Sequence, residues 1–371
     1  MKKIPAAIIG LGRIASLLEN DGRREKPCTH AGAIAASPDC ALAAGCDTDG
    51  GRRRLFAETW GVPVFAGAAE MIAACRPRLI VIATHPDSHE RYCRLAAAYD
   101  VPVIICEKPL ADTLGRARRI AALEKSGPAR ILINHERRYS ADYMRAKAVL
   151  DEGGLGPVLS VQAGLFMGKT KRLLDVLWHD GTHLADAIMY LSGSAMVHKK
   201  RWGEKLSAGE GSAWLSGLLI PNAAPPPAEA VPARESRIPP DPGRPPAPVP
   251  FVLQIGAGRD HLVFEMEFSC EKGRLRIGNG IFEVWESVES PYAGGFRSLK
   301  KTADAFEGPT GYFANMTADA AACVRDPARR PRSSAADGLR AVEYLHSVKP
   351  WNRQPRRRTA AAPPPFRDGR I

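Results

Sequence analysis

The stretch IIGLGRIA, Ile8 to Ala15, carries Gly10-x-Gly12-x-x-Ala15 at the end of an apolar run. Glycine at 10 permits a tight turn, glycine at 12 lets a pyrophosphate approach the backbone, and alanine at 15 lets a helix pack close on a sheet. A phosphate at the start of that helix would meet unpaired N–H groups and the positive end of the helix dipole. Alone the pattern is common. Its weight depends on whether a β/α series follows it.

The series follows. AAIIG is succeeded by a helix-like stretch, ALAAGCD by the helix GRRRLFAETWG, and the short strand VPVFAG by AAEMIAACRP. RLIVIATH precedes the helix HERYCRLAAAYD, VPVIICEKP precedes TLGRARRIAALEKSG, and ARILINHERRY closes the run near Tyr139. Short runs that are apolar throughout, alternating with helix-length segments, predict a parallel, doubly wound sheet. In that setting the glycine motif predicts a dinucleotide site with Gly10, Gly12, Arg13 and Ile14 as contacts. Asp47, closing ALAAGCD, is the expected ribose ligand. It comes 35 residues after Gly12, against about 20 in the usual fingerprint, and the extra length lies in NDGRREKPCTHAG, an insertion in or after the first helix. A carboxylate repels a 2′-phosphate, so Asp47 favours NAD over NADP; Arg52, Arg53 and Arg54 weaken that preference without reversing it.

Beyond LDEGGLG the pattern changes. PVLSVQAGLF, FVLQIGAG, HLVFEMEFSC, GRLRIG and IFEVWES alternate apolar and polar residues between turns, predicting a largely antiparallel sheet. YFANMTADAAACVRD and SAADGLRAVEYLHSV read as helices, the second with Ser334 as candidate N-cap. The expected fold is α/β: an N-terminal Rossmann-type sheet over 1–138, then an α+β domain with an open, largely antiparallel sheet over 139–348. Pro221 to Pro250 holds 12 of the 31 prolines and reads as an insert, either an extended polyproline-like loop or disorder. Residues 349–371 form a basic tail expected to be disordered.

The bulk composition, 371 residues with 45% hydrophobic and 25% charged, is that of an ordinary soluble globular chain. No apolar run reaches the roughly 18 residues of a membrane span, and the apolar run near the N-terminus is cut by Gly10 and Gly12, unlike a signal peptide. The eight cysteines contain no C-x-x-C pair, which argues against a zinc ribbon or disulfide framework and for a reducing cytoplasm. Half of the formal +12 comes from the tail, where seven basic residues face Asp368 alone. Such a tail indicates solvated disorder rather than a nucleic-acid site.

Three stretches carry candidate chemistry. VPVIICEKPLA, Val101 to Ala111, runs a buried strand into Glu107, Lys108 and Pro109. Either a polar loop simply ends the strand, or Lys108 is a placed functional group at the strand's C-terminal end, where α/β folds build sites. IATHPDSH offers Thr84 and His89, as cofactor contacts or as a helix start capped by Asp87 or Ser88. WHDGTHLADAIMYLSG places His179 and His183 at i, i+4, with Asp186 three residues on to hold the His183 ring. Zinc would need a third ligand that the motif lacks, so no metal is expected. A general acid/base needs only an imidazole near pKa 6.5 and a partner that orients it.

Together these residues resemble the glucose–fructose oxidoreductase/inositol dehydrogenase family (Gfo/Idh/MocA), closely over Ile4 to Gly193 and loosely beyond. The resemblance implies that Lys108 of Glu-Lys-Pro is catalytic, that a cis peptide before Pro109 turns it toward the nicotinamide, and that Glu107 orients it. His179-x-Gly181-x-His183-x-x-Asp186 takes the place of the family's Asp-x-Gly-x-His-x-x-Asp, with His183 as proton acceptor and His179 where the family has aspartate. NHERRY implies Asn134 and Arg138 beside the substrate, with His179 and Asp186. The function so implied is NAD-dependent hydride transfer with a sugar, polyol or related hydroxy compound, in a cytoplasmic homo-oligomer joined through the second sheet. The rivals are an NAD-dependent glycoside hydrolase and a non-catalytic sugar or dinucleotide sensor.

Overall fold

The computed structural model describes residues 2–168, 172–222 and 247–348. The basic tail and most of the proline-rich stretch lie outside the described residues. The first half contains β1 (Ile4–Ile9), α1 (His30–Ala36), β2 (Cys40–Cys46), α2 (Gly50–Trp60), β3 (Val64–Phe65), α3 (Ala68–Cys75), β4 (Leu79–Ile82), α4 (His89–Ala98), β5 (Val103–Cys106), α5 (Leu114–Ser126) and β6 (Arg130–Ile133). The six strands form one parallel sheet in the order β3-β2-β1-β4-β5-β6. β4 and β5 are buried along their whole length, as expected where helices cover both faces and every side chain must be apolar.

Local sequence sets the helix ends. Thr29, Asp49 and Thr113 each accept a bond from the backbone N–H three residues on, satisfying a donor that the first turn leaves unpaired. Gly61, at φ 66°, ends α2 in the left-handed conformation. One expectation is corrected here. No α-helix follows the glycine motif directly: the chain makes turns over residues 12–16 and a 3-10 segment over Leu17–Asn20 before leaving the sheet. Asn20, Asp21, Gly22 and Pro27 break the helix, and the insertion rejoins it at Thr29, where the His30 and Ala31 N–H groups bond back to the Ile14 and Ala15 carbonyls.

The second half contains α6 (Ala141–Asp151), β7 (Val158–Gly168), α7 (Leu173–Asp175), a wide π turn (Val176–Asp180), α8 (Gly181–Ser192), β8 (Ser194–Gly203), β9 (Gly211–Pro221), β10 (Val249–Arg259), β11 (Val263–Cys270), β12 (Gly273–Gly278), β13 (Ile281–Glu289), β14 (Arg297–Ala303), α9 (Tyr312–Arg325) and α10 (Ala335–Val348). The sheet order is β14-β13-β12-β11-β7-β10-β9-β8, antiparallel except where β10 pairs with β7. Pro221 and Pro250, the ends of the proline-rich stretch, lie within β9 and β10. β11 alternates half-buried and buried residues, and its inner face packs with Leu184 and Ile188 of α8 and Leu345 of α10.

The two sheets do not divide the chain at one point. Phe313, Met316, Ala320 and Val324 of α9 share a core with Ile8, Val81 and Val103 of the first sheet, whereas α10 contributes to the cores of both halves. Ser334 and Asp337 exchange backbone–side-chain bonds of 2.8 and 3.3 Å at the start of α10, a reciprocal cap. Among the described residues no helix is long and apolar enough to cross a membrane.

Candidate active site

The sheet order brings the C-terminal strand ends into a row: Asp47 after β2, Gly10 after β1, Thr84 after β4, Lys108 after β5 and Asn134 after β6. A cleft of about 570 Å³ opens along the first three, lined by Gly10, Gly12, Arg13, Ile14, Asp47 and Thr84, together with Arg52, His85, Asp87 and Ser88. Gly10 has φ +89°, and a Cβ there would lie 2.7 Å from the Ala83 carbonyl oxygen, whereas Gly12 faces open space. The loop can therefore admit a group that a side chain at 12 would exclude, which fits a dinucleotide pyrophosphate. Asp47 accepts from the Leu11 and Asp49 N–H groups at 2.8 and 2.9 Å, using two of its roughly four lone-pair sites. Arg52 Nη1 stands 3.7 Å from the same carboxylate.

His89 does not line the cleft. Fully buried, it sets its ring nitrogens 3.0 and 3.2 Å from the carbonyls of Thr84 and Leu110, tying the loop after β4 to the one after β5. Burial pushes its pKa down. The cleft-facing histidine of this loop is His85.

Beyond Thr84, the Lys108–Pro109 peptide is cis, as the resemblance implies. Lys108 Nζ donates to the His179 carbonyl at 2.9 Å, which joins the end of β5 to the π turn before α8. Glu107 does not pair with that ammonium. Its Oε1 accepts from His30 Nε2 at 2.7 Å and Asn134 Nδ2 at 2.6 Å, and Oε2 from the Lys108 backbone N–H at 3.3 Å. Burial alone would raise the carboxyl pKa, but these bonds, His30 first, hold it below the usual range. Glu107 thus fixes the backbone that carries Lys108 rather than its ammonium.

His183 is buried, and its Nδ1 has no partner among the described residues. Asp186 does not hold it, contrary to the i, i+3 expectation. That carboxylate takes two bonds from Arg138, at 2.8 and 2.9 Å, and lies 2.9 Å from His135 Nδ1. Desolvation, then the charges of Lys108, Arg137 and His135, push the His183 pKa well below 6.5. The imidazole is therefore neutral at neutral pH, able to accept a proton, and it titrates lower than the sequence suggests. The His135 ring stands edge-on to it, centroids 6.3 Å apart.

Two expected substrate contacts bond within the protein. Arg138 is buried between Asp186 and Asp337, 3.2 Å from the latter, and its Nη1 donates to the Arg332 carbonyl. Asn134 faces Glu107. Sequence reasoning missed His30, His135 and Arg137, whose roles depend on partners distant in the chain.

Residues 4–135 match the family model GFO_IDH_MocA, described as an oxidoreductase family with an NAD-binding Rossmann fold. An inositol 2-dehydrogenase of Klebsiella pneumoniae is 34% identical over 100 residues, covering 27% of this chain and 29% of that protein. A D-apiose dehydrogenase of Rhizobium rhizogenes is 30% identical over 116 residues, 31% and 33% of the two lengths. The chain thus spans about a third of the curated relatives it matches. A solved dehydrogenase from Chromobacterium violaceum, 14% identical, superposes with TM-score 0.71 over 94% of this chain and 95% of that one, a likeness of fold.

Proposed function

We propose that the protein is an NAD-dependent oxidoreductase acting on the CH–OH group of a sugar, polyol or related hydroxy compound. The observation that carries the reading is that Lys108, at the end of β5 next to the glycine-lined cleft, bonds the His179 carbonyl one helical turn before His183, which is buried with its Nδ1 unpartnered among the described residues. Gly10, Gly12, Arg13, Ile14, Asp47 and Thr84 hold the dinucleotide, with Asp47 favouring NAD. When bound, that cofactor supplies the hydride acceptor. His183 takes the hydroxyl proton. Lys108 donates a charged hydrogen bond to the same oxygen as negative charge builds on it, a contribution that exists mainly in the transition state. His179 positions the ammonium through its carbonyl. Self-association through the open face of the second sheet, where Trp202 and Val252 are exposed, completes the reading.

Absorbance at 340 nm during incubation with NAD and a panel of sugars and polyols tests it. Turnover of a free alditol or aldose supports the oxidoreductase, and aglycone release without net cofactor change would replace it with the hydrolase. Lys108→Met should lower turnover about a hundredfold to a thousandfold, as for other lost electrostatic donors, with little change in NAD affinity. His183→Asn should abolish the acid limb of the pH–rate profile, which in the wild type lies below pH 6.5. His179→Ala, which keeps the carbonyl, should mainly raise KM. Tighter binding of NADP(H) than NAD(H) would overturn the role given to Asp47.

A further inference from the structure

The two arginines after β6 face opposite ways. Arg138 is spent on the buried Asp186–Asp337 cluster. Arg137 turns toward β11: its guanidinium carbon lies 3.6 Å from the centre of the Phe264 ring and 6.0 Å from that of Tyr143. Nη1 donates to Glu136 at 2.9 Å, and Nη2 reaches Asn279 Oδ1 only at 3.5 Å. Stacking on an aromatic face fixes the guanidinium plane and leaves its edge for a planar, bidentate acceptor. Of five N–H donors, one makes a bond under 3 Å among the described residues, that to Glu136.

Arg137 lies two residues after His135, whose ring stands edge-on to that of His183 with centroids 6.3 Å apart. Its charge, with that of Lys108, opposes protonation of His183. The neighbouring carboxylates are largely committed, Glu107 to His30 and Asn134, Asp186 to Arg138 and His135, and among the described residues Glu136 is the carboxylate that answers Arg137. Hydroxyl groups of a neutral sugar would use this fork poorly. A charged oxyanion matches both its geometry and its sign, and such bonds are about twice as strong as neutral ones.

We propose that the substrate is a hydroxy compound carrying an oxyanion, a carboxylate or a phosphate, bound by the edge of Arg137 while Lys108 and His183 meet the hydroxyl that reacts. The proposal rests on the oxidoreductase reading for the site it names, and the experiment separates the two. D-Glucuronate, D-gluconate and D-glucose 6-phosphate are compared with D-glucose, using full-length protein saturated with NADH for binding, followed by fluorescence, and with NAD for turnover at 340 nm. At least one anion should bind tenfold or more tighter than D-glucose, the acids if a carboxylate is recognised and the sugar phosphate if a phosphate is. Arg137→Met should weaken that anion about a hundredfold, at least tenfold more than it weakens D-glucose, and Arg137→Lys should restore part of the loss. NADH affinity monitors the integrity of the cleft. Arg137-dependent anion binding without absorbance change would support the ligand class and remove the hydride-transfer reading. Anions bound no better than D-glucose, or losses in Arg137→Met equal for anion and neutral sugar, would overturn the proposal whatever the turnover.

Discussion

Glu107 is a buried carboxylate, ionised because His30, Asn134 and the Lys108 N–H surround it. Its pKa is lowered on folding, so the associated stabilisation is present above the unfolded carboxyl value, about 4.3, and is lost as pH falls through the folded value. Glu107→Gln replaces an acceptor with an amide that turns donors toward donors, and should cost about 1–3 kcal/mol at pH 7. Urea midpoints of both proteins between pH 3 and 7 check this. The gap should be constant at neutral pH and close in acid, and a gap that persisted undiminished to pH 3 would mean that ionisation is not what the variant lacks. His183 is the converse case. The same desolvation that is overcome at Glu107 by donors is reinforced at His183 by the charges of Lys108, Arg137 and His135, and so one buried group stays charged and the other neutral.

The insertion between the glycine motif and α1 is an element in its own right. Glu19 accepts from Thr29 Oγ1 at 2.6 Å and from the Cys28 N–H at 3.2 Å, placing a carboxylate at the N-terminus of α1, while Glu25 accepts from Thr310 and Gly311 and ties the loop to the entry of α9. A Cβ at Gly32 would lie 2.3 Å from Glu19 Oε2. Alanine at an open helical site usually gains up to about 1 kcal/mol over glycine. Here Gly32→Ala should instead lose about 1 kcal/mol by displacing the cap. In a Glu19→Ala background the same change should become neutral or stabilising; equal costs in both backgrounds, by urea titration, would show that the clash is elsewhere. The strands were legible because unbroken apolar runs such as LIVI and VIIC have no other home than a sheet covered on both faces. The turn into the insertion was not, because a glycine motif reports where a phosphate approaches and not how long the next helix lasts. Nor could HERRY reveal which arginine is buried, since Asp186 and Phe264 choose between them from far along the chain. His30 finds Glu107 across 77 residues, and no local spacing announces such a pair.

At the scale of the molecule, the Arg138 cluster joins the end of the first sheet to α8 and α10, so the two halves share one set of buried charges. Removing Arg138 takes from the buried Asp186 its guanidinium partner and leaves it with His135, at a cost of about 3 kcal/mol. Arg138→Met should therefore lower the urea midpoint of the whole protein in one transition, and adding Asp186→Asn should recover part of the loss. Two separated transitions in the single variant would show that the halves unfold independently. The packing of α9 has a different consequence, for synthesis. Chains emerge N-terminus first and generally fold domain by domain, yet the face of the first sheet formed by Ile8, Val81 and Val103 is covered by Phe313, Met316 and Ala320. Its six strands are translated by Ile133, but their cover follows only after the whole second sheet has been made. The nascent chain thus presents an apolar surface that still lacks α9 on the ribosome while β7 to β14 are translated, and the half that carries the glycine motif is the first begun and the last finished.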